Sequence, residues 1–250
     1  MLATLPRPIV IAHRGASSRA PENTMAAFER ALRDGAEGIE LDAKLSRDGK
    51  VLIFHDATLS RTTDGHGKVS EKTAAELREL DAGSHFGPEF RGEKIPFLDE
   101  VLDTFAGKLL INIEFKGFRA QTAGLVDRVC DLVLRHSAQG SVLFSSFHPA
   151  SLSRAAGLLP EVPRGLLAAA GWRGAWARSF GFSFGDYSAL HSHISDCSAQ
   201  QVKRVHRLGR RLHVWVVNEP AVIGRLGNMG VDGVFTTDPA AALRVLGRAS

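Results

Sequence analysis

The chain has 250 residues, of which 44% are hydrophobic, enough for one large α/β domain or two small ones with a substantial core. It contains no run of eighteen apolar residues, which excludes an ordinary transmembrane helix, and its net charge of +4 favours anionic substrates only weakly. Met1 to Pro8 lacks the apolar core of a signal peptide. Cys130 and Cys197 lie far apart without metal-ligand spacing, so we expect two free thiols and a cytoplasmic location.

Short apolar runs alternate with helical patterns along most of the chain. The runs that predict strands cover 9–12, 37–41, 51–54, 109–115, 142–145, 165–168, 188–190, 212–217 and 232–236. The first predicted helix starts at a cap, Asn23 or Thr24, and stops at Gly35. Further helices are predicted over 121–136, 149–158 and 199–208, and two more begin at Pro220 and after Asp238. Such alternation is typical of a parallel sheet, and eight or more units in one chain favour a TIM-like (β/α)8 barrel.

The nine strand candidates are one more than such a barrel needs. The runs 51–54 and 165–168 are the weakest, and the polar turn at 46–49 leads into 51–54 without an intervening helix. The segment 57–108 also departs from the alternation, because it is rich in turns and holds only short helices. So long an irregular segment is usually a functional lid or a small subdomain. We therefore predict one α/β barrel domain over 1–250, with an inserted lid at 57–108.

Ionisable residues stand where four of the predicted strands end. They are His13 and Arg14, then Glu40 and Asp42, then His55 and Asp56, and finally Glu114 and Lys116. Because side chains alternate along a strand, Glu40 and Asp42 share one face, as do Glu114 and Lys116. The carboxyl ends of parallel strands meet at one mouth of a barrel, so we expect these groups to converge there.

Three carboxylates that converge in a barrel mouth would repel one another. A divalent cation would relieve this repulsion, and an oxygen-only ligand set selects Mg²⁺ or Ca²⁺ rather than zinc. A buried ion network of the same acids with Lys116 and Arg14 would relieve it equally well. The spacing of the residues leaves both interpretations open.

His13 and His55 end different strands, each beside a charged residue. Two histidines across one site suit acid–base catalysis, because one can accept a proton while the other donates one; capping of the strand ends is the alternative. Arg14 offers a planar fork suited to phosphate, or a salt bridge to a nearby acid. Trp215 alternates with His213 and Val217 on the face taken as the barrel interior, where it could line the pocket or pack in the core.

A basic cluster lies on the predicted helix 199–208 and just beyond it. Its members are Lys203, Arg204, Arg207, Arg210 and Arg211. Such a cluster is usually a solvated helix face, and nucleic-acid binding would call for interleaved aromatic residues, which this stretch lacks. We therefore expect no nucleic-acid partner. We also expect no stable membrane association, and a protein that is a monomer or a homodimer.

Several short motifs occur together in one order along the chain. They are His13-Arg14-Gly15, Glu22-Asn23-Thr24, Glu40-Leu41-Asp42, His55-Asp56, Asn112-Ile113-Glu114-Phe115-Lys116, Ser145-Ser146-Phe147, Trp215-Val216-Val217-Asn218 and Asp232-Gly233-Val234-Phe235-Thr236. With these motifs in this order, the chain resembles the glycerophosphodiester phosphodiesterases, and it is close to the short bacterial cytoplasmic type. The resemblance runs from Ile9 to about Pro239. Each motif alone is weak, but the eight in sequence are specific.

The resemblance implies a TIM-like barrel with an insertion after the second histidine, and hydrolysis of small glycerophosphodiesters to glycerol 3-phosphate and an alcohol. It implies one divalent cation, Mg²⁺ or Ca²⁺, on Glu40, Asp42 and Glu114. It further implies acid–base roles for His13 and His55, phosphate contacts from Arg14 and Lys116, and an aromatic pocket residue at Trp215.

Our mechanistic hypothesis is attack of the glycerol 2-hydroxyl on phosphorus, with one histidine as base and the other as acid, through a cyclic phosphate that water then opens. Direct attack by water is the alternative route. Two other functions stay open. A membrane phospholipase of the related barrel type would need an exposed apolar rim, which 57–108 scarcely offers. A non-catalytic phosphate-binding protein would be expected to lack one of the histidines or acids, and all are present.

Overall fold

The computed structural model describes residues 2–116 and 119–248, with the backbone alone at 3 and 119–123. Its strands are β1 (Ile9–His13), β2 (Gly38–Leu45), β3 (Val51–Ile53), β4 (Leu110–Phe115), β5 (Val142–Ser146), β6 (Arg164–Ala168), β7 (Ala189–His193), β8 (Arg211–Trp215) and β9 (Gly233–Thr236). Its helices are α1 (Met25–Arg33), α2 (Ala74–Glu79), α3 (Leu98–Phe105), α4 (Arg119–Arg135), α5 (Pro149–Leu158), α6 (Phe182–Phe184), α7 (Ala199–Arg207), α8 (Pro220–Met229) and α9 (Pro239–Val245). A 3-10 turn (Gly171–Gly174) and a π-helical turn (Ala177–Gly181) precede α6.

Eight parallel strands close into a barrel, which confirms the predicted TIM-like fold. The strand order is β1-β9-β8-β7-β6-β5-β4-β2, and β1 pairs with β2 to complete the ring. The ninth strand, β3, pairs antiparallel with the end of β2 and lies outside the ring. Its tight turn is too short for the crossover that a parallel neighbour requires. Of the two weak strand candidates, 165–168 is therefore a barrel strand and 51–54 is not.

Alternate side chains of each barrel strand pack on opposite sides of the sheet. Val10 and Ala12 of β1 belong to the large apolar layer between the strands and the helices. Ile9 and Ile11 point the other way, into a smaller interior cluster with Leu110, Leu143 and Phe235. The strands are apolar on both faces because both faces are buried, as expected for a parallel sheet.

Two histidines fill part of the barrel interior. His191 and His213 are fully buried, and their rings are 5.0 Å apart between centroids. Burial lowers the pKa of His191 to about 3, so its imidazole is neutral at neutral pH and keeps a single N–H. Gly165 faces them, and a Cβ at that position would lie only 2.3 Å from Nε2 of His191. The glycine therefore makes room for the imidazole.

The helix after β1 forms as predicted, with one difference. Thr24 rather than Asn23 caps α1, through a hydrogen bond from the Ala27 amide to its Oγ1. Phe28 is fully buried and meets the ring of Phe105 edge-on at 6.1 Å. Leu32, four residues after Phe28 on the same helix, is 38% exposed.

The segment 57–108 packs around a small core that it shares with β3 and Phe54. The members of this core are Leu52, Phe54, Leu59, Val69, Leu77, Ala82 and Ile95. The predicted capping box at Thr73 and Glu76 starts α2. The last helix of the segment, α3, instead buries its apolar face in the large layer around the barrel. The role of 57–108 as a lid stays a prediction.

Candidate active site

A pocket of about 220 Å³ opens at the carboxyl ends of the barrel strands. Its lining is His13, Arg14, Glu40, His55, Asn112, Glu114, Lys116, Ser145, Phe147, Leu167, His191, Trp215 and Phe235. Seven of the eight residues predicted from the sequence are in this lining, and the eighth, Asp42, lies buried against them. The structure therefore brings all eight together, while their individual roles stay predictions.

Three buried carboxylates form the floor of the pocket. Glu40, Asp42 and Glu114 each offer an oxygen, and the three oxygens lie within 4.8 Å of one another. The pairing of β2 with β4 sets this arrangement, because Asp42 lies directly opposite Glu114. Burial together with the neighbouring acids raises the pKa of Glu40 well above its usual range, and burial raises that of Glu114 to about 7.

Two cations partly neutralise this cluster. Nζ of Lys116 lies 2.7 Å from Glu114 Oε1 and 3.2 Å from Asp42 Oδ1, and Nε of Arg14 lies 3.3 Å from Asp42 Oδ2. Although burial acts to raise it, the pKa of Asp42 falls to about 2, because Lys116 and Arg14 outweigh the loss of solvation. The predicted ion network is thus present. Asp42 Oδ1 nevertheless has no hydrogen-bond partner among the described residues.

The turn after β1 aims Arg14 into the pocket. Arg14 and Gly15 both have positive φ, 57° and 81°, so the chain reverses within two residues. Gly15 is required there, because a Cβ would lie 2.6 Å from that of Ala27. The Arg14 amide donates to Glu40 Oε2 at 2.9 Å, and its guanidinium donates to Glu22 at 2.8 Å. Opposing charges thereby raise the pKa of Arg14 despite its burial.

The two predicted histidines lie in different surroundings. His13 is 3.9 Å from Glu40 between Nε2 and Oε2, and burial, reinforced by Arg14, lowers its pKa to about 4. His55 forms a short contact, 2.6 Å, between its Nδ1 and Oδ1 of Asp56. Burial lowers the pKa of His55, and the Asp56 carboxylate opposes that shift. One imidazole is thus held neutral, and the other is oriented by a carboxylate.

Aromatic side chains form one wall of the pocket. The Trp215 indole donates to the His191 carbonyl at 3.0 Å, which fixes the plane of its ring. Phe147 meets that ring edge-on at 5.7 Å. Trp215 lies on the interior side with His213, as predicted, but Val217 belongs to the outer layer because β8 ends at Trp215.

A comparison with protein-family models matches residues 13–241 to the glycerophosphoryl diester phosphodiesterase family. The chain belongs to this family. It is 35% identical over 241 residues to a glycerophosphodiester phosphodiesterase of Caldanaerobacter subterraneus subsp. tengcongensis, covering 96% of this chain and 98% of the relative. A Bacillus subtilis glycerophosphodiester phosphodiesterase is 34% identical, over 93% of this chain and 84% of that one. These matches confirm the predicted family and its enzyme class, the phosphoric diester hydrolases.

Solved structures of the glycerophosphoryl diester phosphodiesterase family share the fold. An Oleispira antarctica phosphodiesterase in complex with the product sn-glycerol-3-phosphate matches with a TM-score of 0.89 and 35% identity, over 96% of this chain and 97% of that one. A Thermotoga maritima glycerophosphodiester phosphodiesterase matches with a TM-score of 0.75 and 26% identity, over 96% and 99%. The barrel of this chain is therefore the family fold.

Three polar residues complete the site in this family member, although the sequence assigned them no role. Asn23 donates to Asp42 Oδ2 at 2.8 Å from a backbone with φ of 57°. Arg61 donates to Glu22 through both terminal nitrogens, at 2.7 and 2.8 Å, and through Nε to Asp56 at 2.5 Å. The motif Glu22-Asn23-Thr24 was a signal for two of them, but nothing local distinguishes Arg61 from any arginine in a loop.

Proposed function

We propose that this protein hydrolyses glycerophosphodiesters, such as glycerophosphocholine or glycerophosphoethanolamine, to sn-glycerol 3-phosphate and an alcohol. The observation that carries the proposal is one pocket that combines three buried carboxylates, two cations and two histidines. A phosphodiester requires charge neutralisation at its oxygens and proton transfer at its leaving group, and this set of residues offers both. The product named with the Oleispira relative supports the same substrate class.

The carboxylate cluster fits a divalent cation of the hard class. Glu40, Asp42 and Glu114 offer only oxygen ligands, and Oδ1 of Asp42 is buried without a hydrogen-bond partner among the described residues. We propose that these three residues hold Mg²⁺ or Ca²⁺. A bound cation would neutralise charge on the phosphate oxygens. Lys116 and Arg14 are paired with the carboxylates in this structure. In this proposal they also donate hydrogen bonds to the phosphate when substrate binds.

The histidines are proposed to move the protons. His13 and His55 both line the pocket, His13 at the end of β1 and His55 just beyond β3. One removes the proton of the glycerol 2-hydroxyl, which attacks phosphorus, and the other protonates the departing alcohol. The cyclic phosphate is then opened by water with the two roles reversed. Trp215 and Phe147 would pack against the carbon chain of the glycerol.

The test of cation dependence is the release of glycerol 3-phosphate from glycerophosphocholine with and without a chelator. We expect EDTA to abolish turnover and Mg²⁺ or Ca²⁺ to restore it. Glu114→Gln keeps the shape of the side chain and removes its charge, so it should raise the cation concentration needed for half-maximal activity by about 10-fold or more. The matched control is Glu29→Gln on the exposed face of α1. Full turnover in excess EDTA would contradict the cation site.

The nucleophile is tested with a 2-deoxy analogue of glycerophosphocholine. Without the hydroxyl the intramolecular attack cannot occur, and a well-placed neighbouring group is worth on the order of 7–11 kcal/mol. We expect the analogue to inhibit with nearly the affinity of the substrate and scarcely to turn over. Turnover close to that of glycerophosphocholine would exclude the cyclic route and favour direct attack by water.

We further propose a cytoplasmic enzyme, monomeric or homodimeric, without a nucleic-acid partner. Both cysteines are free thiols, as a reducing compartment requires. Size-exclusion chromatography with light scattering tests the oligomeric state, and fractionation of cells tests the location.

A further inference from the structure

Four large aromatic side chains lie exposed on one helical stretch beside the barrel. Trp172 and Phe184 are each 84% exposed, Phe180 is 69% and Trp176 is 56% exposed. They recur every fourth residue through the continuous helical run 171–184, and all four face solvent. We call these four residues the aromatic stripe. Isolated exposed apolar residues are common, but four large aromatics in a row mark an interaction surface.

The rings of the stripe are ordered by their neighbours. Phe180 and Phe184 stack with their planes 8° apart and their centroids 6.1 Å apart. The Trp176 ring lies over Gly181, where a Cβ would come within 2.6 Å of it. Phe180 and Phe184 thus each cover one face of the other ring, while most of the surface of Trp172 and Phe184 stays exposed.

The stripe runs the height of the barrel wall. At its first end the Gly171 amide donates to Asp196, in the turn after β7, and Arg178 donates to the Ala169 carbonyl just past β6. Trp172 therefore lies at the rim that holds the pocket. At the other end Arg210, which precedes β8, donates to the Phe182 carbonyl, so Phe184 lies towards the opposite rim.

The neighbouring helix α7 supplies a row of positive charge next to the stripe. Arg204 of α7 donates to Ser183 at 2.8 Å, which fixes the two helices side by side. Lys203, Arg204 and Arg207 are exposed, and within the described residues none of them is in an ion pair. The basic cluster therefore does have aromatic neighbours, which come from another part of the chain.

Acidic residues are missing from both elements. Neither the run 171–184 nor α7 contains an aspartate or a glutamate. Three acids outside these elements are in ion pairs beside them: Asp196 pairs with Arg178, Asp232 contacts His206 of α7, and the exposed Asp186 pairs with Arg164. A twofold contact between two copies would place like charges opposite each other, which disfavours a second copy as the occupant.

We propose that the aromatic stripe and α7 form a docking surface for the headgroup region of an anionic lipid bilayer. Tryptophan and phenylalanine beside lysine and arginine, without acids, are typical of segments that lie in the membrane interface. In the part of the chain that the structure describes, no helix is both long and apolar enough to cross a bilayer, so the association is peripheral and reversible. The stripe lies along the barrel wall, so docking leaves the pocket open to water at the edge of the lipid.

The test is sedimentation of the full-length protein with vesicles of equal parts phosphatidylglycerol and phosphatidylcholine, or of phosphatidylcholine alone. We expect binding to the anionic vesicles at low salt, weaker binding at high salt, and little to the neutral vesicles. Trp172→Ser/Phe184→Ser should lower the partition coefficient about tenfold or more, since two large apolar side chains no longer enter the interface. The control Phe86→Ser changes an exposed ring on the segment 57–108 and should bind as the wild type does.

The charge component has its own pair of variants. Lys203→Gln/Arg207→Gln should weaken binding to the anionic vesicles about tenfold, whereas Arg33→Gln/Lys108→Gln, an equal loss of charge elsewhere, should not. The aromatic variant, the two charge variants and the Phe86→Ser control should all hydrolyse soluble glycerophosphocholine at the wild-type rate, because none of the changed residues lines the pocket. Vesicle binding is measured independently of catalysis, so a failure of the docking proposal can be distinguished from a failure of the proposed function.

A measurement on the unaltered protein completes the test. Two of the stripe residues are tryptophans, so anionic vesicles should shift the fluorescence emission to shorter wavelength. No sedimentation and no shift at low salt would overturn the proposal, as would equal binding by the aromatic variant. Binding of single-stranded oligothymidylate in preference to vesicles, lost in the same variant, would assign the surface to nucleic acid instead.

Discussion

Replacement of Asp56 by asparagine tests whether His55 is held in place by its neighbouring carboxylate. Nδ1 of His55 lies 2.6 Å from Oδ1 of Asp56, and the other carboxylate oxygen accepts from Arg61 at 2.5 Å. Asparagine keeps the size of the side chain but removes the charge. Its single amide oxygen can accept from Nδ1 of His55 or from Nε of Arg61 but not from both, so the contact with His55 becomes at best a neutral hydrogen bond.

The expected effect is a fall in kcat of at least about tenfold, the value for a neutral hydrogen bond that is kept. A hydrogen bond to a charged group contributes about 1.5–3 kcal/mol, and a neutral one about 0.5–1.5 kcal/mol. The difference, about 1–1.5 kcal/mol, corresponds to roughly a factor of ten in rate. The side chains of His55 and Asp56 are 31% and 24% exposed, so solvent screens this pair only in part. KM should change less than kcat, because neither group is proposed to anchor the phosphate.

The pH profile gives the second readout. The carboxylate of Asp56 favours protonated His55 and opposes the lowering of its pKa by burial. Without that charge the pKa of His55 falls further, so the limb of the kcat profile that belongs to His55 should move to lower pH. Coupled detection of glycerol 3-phosphate, released from glycerophosphocholine at a series of pH values, measures both effects.

The chain contains a matched control for this experiment. His136 and Asp103 form the same kind of pair, with 2.7 Å between Nδ1 and Oδ1, away from the pocket. Asp103→Asn should leave kcat and its pH profile unchanged. A kcat for Asp56→Asn within twofold of the wild type, with an unmoved profile, would refute the positioning of His55 by Asp56.

Two other predictions concern the histidines and the barrel interior. His13→Ala and His55→Ala should each lower turnover by about 10²–10⁴ with little change in Tm, whereas a large fall in Tm with modest loss of activity would identify them as caps of strand ends. Gly165→Ala places a Cβ 2.3 Å from the ring of His191, so it should cost about 1–3 kcal/mol and lower Tm by about 2–12 °C in thermal unfolding. Gly157→Ala, in open space on α5, should leave Tm unchanged or raise it, and equal Tm values for the two variants would contradict the packing argument.

Some long-range features could be predicted because they repeat a local pattern. Most barrel strands are apolar runs that end in polar or ionisable groups, and parallel strands place such ends at one rim. His13, Glu40 and Glu114 could therefore be assigned to one site from their positions alone. The interior orientation of Trp215 followed from the alternation of side chains along β8. The alternation stops at Trp215, the last residue of that strand, so the same rule failed for Val217.

Other features were out of reach because they depend on contacts between distant segments. Arg61 joins the site only because the insertion folds back on Glu22, which lies 39 residues earlier. The aromatic stripe seemed poorly patterned in the sequence, and the basic cluster seemed to lack aromatic neighbours, until the barrel placed α7 beside 171–184.

The sequence by itself determined the fold class, the family and the eight candidate residues that the barrel brings together at the pocket. It did so because strand alternation and the charges at strand ends are properties of short segments, and the barrel only repeats them. The tertiary structure alone decided which of the nine strand candidates lies outside the barrel, and which charges pair. Those outcomes depend on strand register and helix packing, since β2 continues far enough to pair with β3 and to bring Asp42 opposite Glu114. Ion pairs and exposed surfaces form between segments that are distant along the chain, so their physical cause is the packing itself.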